Sequence, residues 1–133
     1  MTDTITAKLS SAAEGLLWMS ESESLLVPFC WKSDGQPLTP AKLLQLAGHP
    51  ASSPVQAIAV DEFFAPAIEE QDWYGDEEKA TALRYRKLVE FLKSNLTDIK
   101  VYRVGQSPEI HIYVAGITRD NNLAGISTTS IET

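Results

Sequence analysis

VYRVGQSPEIHIYVAGITRDNNLAGISTTSIET, residues 101 to 133, decides the fold. In its middle, Ile110, Ile112 and Val114 alternate with Glu109, His111 and Tyr113, the two-residue period of a strand with one face buried. VYRV (101–104) precedes it as a shorter strand. TRDNN is hairpin-type turn chemistry, and NLAGISTTSIET returns as a third strand. Ile126, Thr128, Thr129, Ile131 and Thr133 are all β-branched, so the chain predicts order close to residue 133, where tails usually fray. Three consecutive strands form an antiparallel meander.

Upstream, the period changes to that of helices. Asp76 to Leu96 is predicted as a long helix, with Asp76, Glu77 and Glu78 at the dipole's positive end and Lys93 in the last turn. Tyr85, Leu88, Val89, Phe91, Leu92, Leu96 and Ala80 cover one wide apolar arc, suited to lying across a sheet. Residues 4–17 form a second helix with a stripe through Ile5, Leu9, Ala12, Ala13, Leu16 and Leu17. TPAKLLQLAG forms a third, capped by Thr39, opened by Pro40 and ended by Gly48.

LLVPFCWK is rich in strand formers, but Pro28 demotes it to an edge or bulged strand. VQAIAV (55–60) reads as a buried central strand. DEFFAPAIEEQDWYG reads as a structured loop with about one helical turn. The expected whole is one domain over residues 1–133, α+β, with a mainly antiparallel central sheet covered by helices.

Composition limits function. A formal net charge of −7 opposes polyphosphate, so nucleic acid is not the expected partner. A single cysteine, Cys30, permits neither an internal disulfide nor a Cys-rich zinc site. No stretch has the length of a membrane span or the pattern of a standard signal peptide, so a cytoplasmic protein without membrane attachment is expected. Catalytic nucleophile, phosphate-loop and dinucleotide motifs are missing, and His49 and His111 lack patterned metal-ligand neighbours. No catalysis, cofactor or small-molecule substrate is expected. What stands out is acidic and aromatic loop chemistry: Glu21 and Glu23 in SESES, and Gln71, Asp72, Trp73 and Tyr74 before the long helix. Tryptophan and tyrosine in loops are frequent interface anchors. Equally, Trp73 and Tyr74 could fold back as a staple on the helix start.

GLLWMSESE (15–23), the GH of AGHP, QDWYGDEE (71–78), KSNL (93–96) with VYRVG (101–105), and NLAGIST with the terminal ET occur in one order. Through these blocks nearly the whole chain resembles the nuclease A inhibitor-like family, most loosely from Ser24 to Phe64. The resemblance implies an α/β/α sandwich of PR-1-like architecture and a one-to-one complex with a magnesium-dependent, sugar-non-specific DNA/RNA endonuclease. It implies that Thr133, with Glu132 beside it, engages the nuclease's catalytic magnesium in the complex. It also implies that Glu21 meets a catalytic-site arginine, and that Gln71, Asp72 and Trp73 form a second patch. The rival reading is a non-catalytic acidic interaction module with another partner.

Overall fold

The computed structural model describes residues 2–14, 16–19, 23–32, 38–69, 72–106, 108–119 and 121–131. Helix α1 (Thr2–Ala13) leads to strands β1 (Leu17–Met19), β2 (Glu23–Leu25) and β3 (Val27–Trp31). Helix α2 (Pro40–Ala47), strand β4 (Val55–Ile58), and helices α3 (Val60–Ile68) and α4 (Asp76–Asn95) follow. Strands β5 (Thr97–Val104), β6 (Glu109–Ile117) and β7 (Leu123–Ile131) complete the order.

The expected meander is present, with Val101 opposite Val114 and Val114 opposite Ile126. It forms the centre of a five-stranded antiparallel sheet in the order β3-β7-β6-β5-β4. A separate two-stranded ribbon pairs β1 with β2. Four helices with these two sheets make the fold α+β.

Alternation along each strand builds two cores. Val101, Ile110, Ile112, Val114, Ala124 and Ile126 meet α1, α3 and α4 through Leu9, Phe64, Leu88 and Leu92. Tyr102 and Val104 project to the opposite face and pack with Leu43 and Leu44 of α2, backed by Trp31, Val55 and Tyr113. Helices therefore cover both faces, three on one side and α2 on the other.

Helix α2 has its expected ends. Thr39 Oγ1 accepts from the Lys42 amide at 3.2 Å, and Gly48 at φ 79° takes the left-handed turn that glycine permits at least cost.

Three expectations change. The first helix stops at Ala13; the chain turns through a Leu16 amide to Ala13 carbonyl bond of 3.0 Å, and Leu17 enters β1. Leu16 is buried in either arrangement, so apolar spacing alone does not mark the exit. Segment 55–60 is no central strand: β4 lies at the sheet edge, paired only to β5, with Gln56 and Ala57 exposed. Its apolar composition reports partial cover of Val55 and Ile58, not a place in the middle. The first half of DEFFAPAIEEQDWYG, residues 61–68, is no loop: α3 continues through Pro66 to Ile68. Proline removes one backbone donor there, while burial of Val60, Phe63 and Phe64 along one side holds the helix together. The edge position expected for the Pro28 strand is observed in β3.

The candidate interaction groove

Helix α4 ends at Asn95 and β5 starts at Thr97, so the helix doubles back over the sheet. Twenty helical residues rise about 30 Å, roughly the length of an eight-residue strand at ~3.4 Å each. The first turn of α4 therefore sits at the sheet end where β5 finishes, β6 begins at Glu109 and β7 reaches Ile131. β3 begins with Val27 opposite Ser127, so β2, just before it, runs along the last part of β7. Both ribbon strands touch β7. Ribbon, α4 start and β7 end share one side of the molecule.

Between ribbon and helices lies a groove of about 680 Å³, lined by Leu17, Trp18, Glu23, Pro66, Trp73 and Tyr74 with Glu77, Glu78, Thr81 and Tyr85 of α4. Its walls are tied to one another. Trp18 stacks on Phe63 at 4.3 Å and meets Tyr85 edge-on at 6.3 Å. The Tyr85 hydroxyl donates to the Leu17 carbonyl at 2.6 Å, tying helix to ribbon. Burial pushes the Tyr85 phenol up to about 12 despite the opposing Arg84 charge, so it remains a donor at physiological pH. Arg86 Nε donates to the Ile68 carbonyl at 3.1 Å, fastening α3 beside α4.

At the helix start, Glu78 Oε2 accepts the Gly75 amide at 3.0 Å. Glycine has no side chain to return the bond, so only half of a capping box exists. Asp76, Glu77 and Glu78 also lie in the first turn, where anions are favoured. Trp73 is 74 % exposed, and Tyr74 sits edge-on to it at 4.7 Å. The staple reading for Trp73 fails, because a folded-back indole would be covered.

Of the eight expected site residues, the groove unites Glu23, Trp73 and Tyr74; Asp72 is exposed next to Trp73 but does not line it. Glu21, Gln71, Glu132 and Thr133 lie outside the described residues. Their neighbours are described: Met19 pairs with Glu23 across the ribbon, and Ile131 pairs with Glu109 at the sheet end. Trp18, Tyr85, Pro66 and Thr81 enter the groove without having been expected there. For Trp18 a signal existed, since LLWM directly precedes the acidic run. Thr81 and Pro66 carried none, because their place depends on how α3 meets α4.

The groove's apolar walls carry carboxylates at Glu23, Glu77 and Glu78 and, among the described residues, no lysine or arginine. Among the described residues, no group of three or more His, Cys, Asp or Glu side chains is arranged to hold a metal ion. No helix is long and apolar enough to cross a membrane.

No curated protein matches the chain. A family model described as nuclease A inhibitor-like protein matches residues 3–133, nearly the whole sequence. This chain belongs to the nuclease A inhibitor-like family.

Proposed function

We propose that the protein inhibits a magnesium-dependent, sugar-non-specific DNA/RNA nuclease by occupying its active site in a one-to-one complex. The observation that supports this most is the gathering of Glu23, Trp73, the start of α4 and the end of β7 on one side of the molecule. A cleft that holds polyphosphate is electropositive, and an acidic protein is steered to it. Carboxylates at Glu21 and Glu23 take positions meant for phosphate oxygens, with Glu21 meeting an active-site arginine. Thr133, beside Glu132, supplies an oxygen to the nuclease's magnesium, which exchanges water for oxygen ligands. Gln71, Asp72, Trp73 and Tyr74 form the second contact, with Trp73 as its anchor.

The strand leading to Glu132 and Thr133 suits this role because β7 is paired with β6 as far as Ile131 and with β3 as far as Ser127. A ligand mounted on a fixed strand loses less freedom on binding than one on a loose tail, where each immobilised side chain costs about 0.5–1.5 kcal/mol. The protein acts in the cytoplasm and blocks the nuclease without catalysis of its own.

Titrating such a nuclease with full-length protein and with a variant lacking Thr133 tests the reading. Stoichiometric inhibition that collapses on removing that residue is expected. Equal inhibition by both would discard the terminal plug and keep the inhibitor. Absence of inhibition by either, across several nucleases of this type, would leave the acidic interaction module with another partner.

A further inference from the structure

On the α2 side of the sheet, at the end reached by β7, lies a cluster that the inhibitory role does not use. His49, just past the end of α2, places Nε2 2.6 Å from the Tyr113 hydroxyl. Its ring is 5.0 Å from that of His111, and His111 Nε2 is 3.2 Å from Glu109 Oε1. Glu109 and His111 stand directly opposite Ile131 and Thr129, one strand spacing (~4.8 Å) from the last described turn of chain before Glu132.

The groups facing the pair are few. From β6 come Glu109 and Tyr113, and from β5 the buried Tyr102 and Val104. β7 offers Thr129 and Ser127, β4 offers Val55, and β3 offers Phe29 and Trp31 against Tyr113. Among the described residues facing the pair, Glu109 is the one carboxylate. Burial pushes the Tyr113 phenol up, so it keeps its proton, and it shares the 2.6 Å hydrogen bond with His49 Nε2. Burial, and then His111, push His49 down, which keeps it uncharged at neutral pH.

We propose that the His49–His111–Glu109 cluster makes the inhibitor's grip pH-dependent, weakening it in acid, where imidazoles gain charge. This rests on the inhibitor reading. While both imidazoles are neutral the cluster carries only the Glu109 charge and adds to the attraction for an electropositive cleft. With both histidines protonated it becomes net cationic beside the docking end, and the same cleft repels it. A protonated His49 can only donate to the Tyr113 hydroxyl, which fixes the direction of this contact between the end of α2 and β6. Linkage fixes the sign: binding disfavours the protonated forms, so affinity falls as pH falls, by at most about tenfold per pH unit for each proton expelled.

The test is calorimetric binding of full-length protein to a magnesium-dependent non-specific nuclease at pH 7.5 and 5.5. It is repeated with H111Q and with the double variant H49Q/H111Q, each checked for a native thermal transition. Wild type is expected to lose about tenfold more affinity than the double variant over this range. H111Q, which leaves the α2 contact intact, should lie between them. Titrations within the nuclease are common to all three and cancel. Equal pH slopes for wild type and H111Q would overturn the proposal while leaving the inhibitor in place. Absence of binding at both pH values would overturn the inhibitor reading and this one with it.

Discussion

Tyr85 of α4 donates its phenol hydrogen to the carbonyl of Leu17 at 2.6 Å, across 68 residues of sequence. That bond joins the longest helix to the ribbon bearing Glu23, so the groove's two walls are set relative to one another. Tyr85→Phe keeps the ring against Trp18 and leaves the Leu17 carbonyl without this donor. A loss of about 1–3 kcal/mol in unfolding free energy is expected, read from urea denaturation. Inhibition should weaken more than this loss of folded protein explains, because the ribbon is no longer pinned.

The same phenol sets an alkaline limit. Its folded-state value is raised above the ordinary 10 to about 12, so the stability it contributes is complete below pH 10 and is lost as pH climbs to about 12. Unfolding measured between pH 9 and 12 should show a decline that Tyr85→Phe lacks.

Trp73→Ala is expected to separate binding from folding. Three quarters of this indole faces solvent, so its removal should change stability by less than about 0.5 kcal/mol. If it anchors the nuclease, the inhibition constant should rise by roughly 2 kcal/mol, about thirtyfold. An unchanged constant would take Trp73 out of the interface.

Gly125→Ala should be among the most damaging single changes. A Cβ there would lie 1.7 Å from the Val114 carbonyl oxygen, backbone that moves only if β6 and β7 separate. We expect loss of more than about 3 kcal/mol, or failure to fold, judged by circular dichroism and solubility.

Asp61→Asn should do little. Asp61 and Lys93 form an ion pair between α3 and α4, with both side chains largely in water. Such pairs contribute roughly 0–1 kcal/mol, and a double-mutant cycle at low and high salt should find a small coupling that salt reduces.

Much of this architecture was legible in residue periodicity. The meander follows from Ile110, Ile112 and Val114, and α4 from its apolar arc and acidic start, because each pattern is local and long. Failures came where tertiary packing overruled local chemistry. Pro66 suggested a break, yet Phe63 and Phe64 find the core and carry α3 past it. Val55 to Val60 suggested a central strand, but an apolar run does not say how many neighbours the strand has. In the groove, Trp73 and Tyr74 announce themselves as loop aromatics, and Glu23 as an acidic neighbour. Thr81 and Tyr85 are ordinary helix residues until the ribbon is laid against them. The position of β7 inside the sheet could not be read at all, since strand order depends on partners far away in sequence.

That strand order has a kinetic consequence. β5, β6 and β7 are joined by short turns, so their pairing closes small loops and can form early. β3 meets β7 across about a hundred residues, as in the Ser127 hydroxyl to Val27 carbonyl bond at 3.4 Å, and must wait for a far larger closure. Until it arrives, β7 is an edge with open backbone groups, and the species most exposed to strand-to-strand aggregation is a chain whose meander has formed and whose β3 has not. Refolding at high protein concentration should therefore fail at this step first.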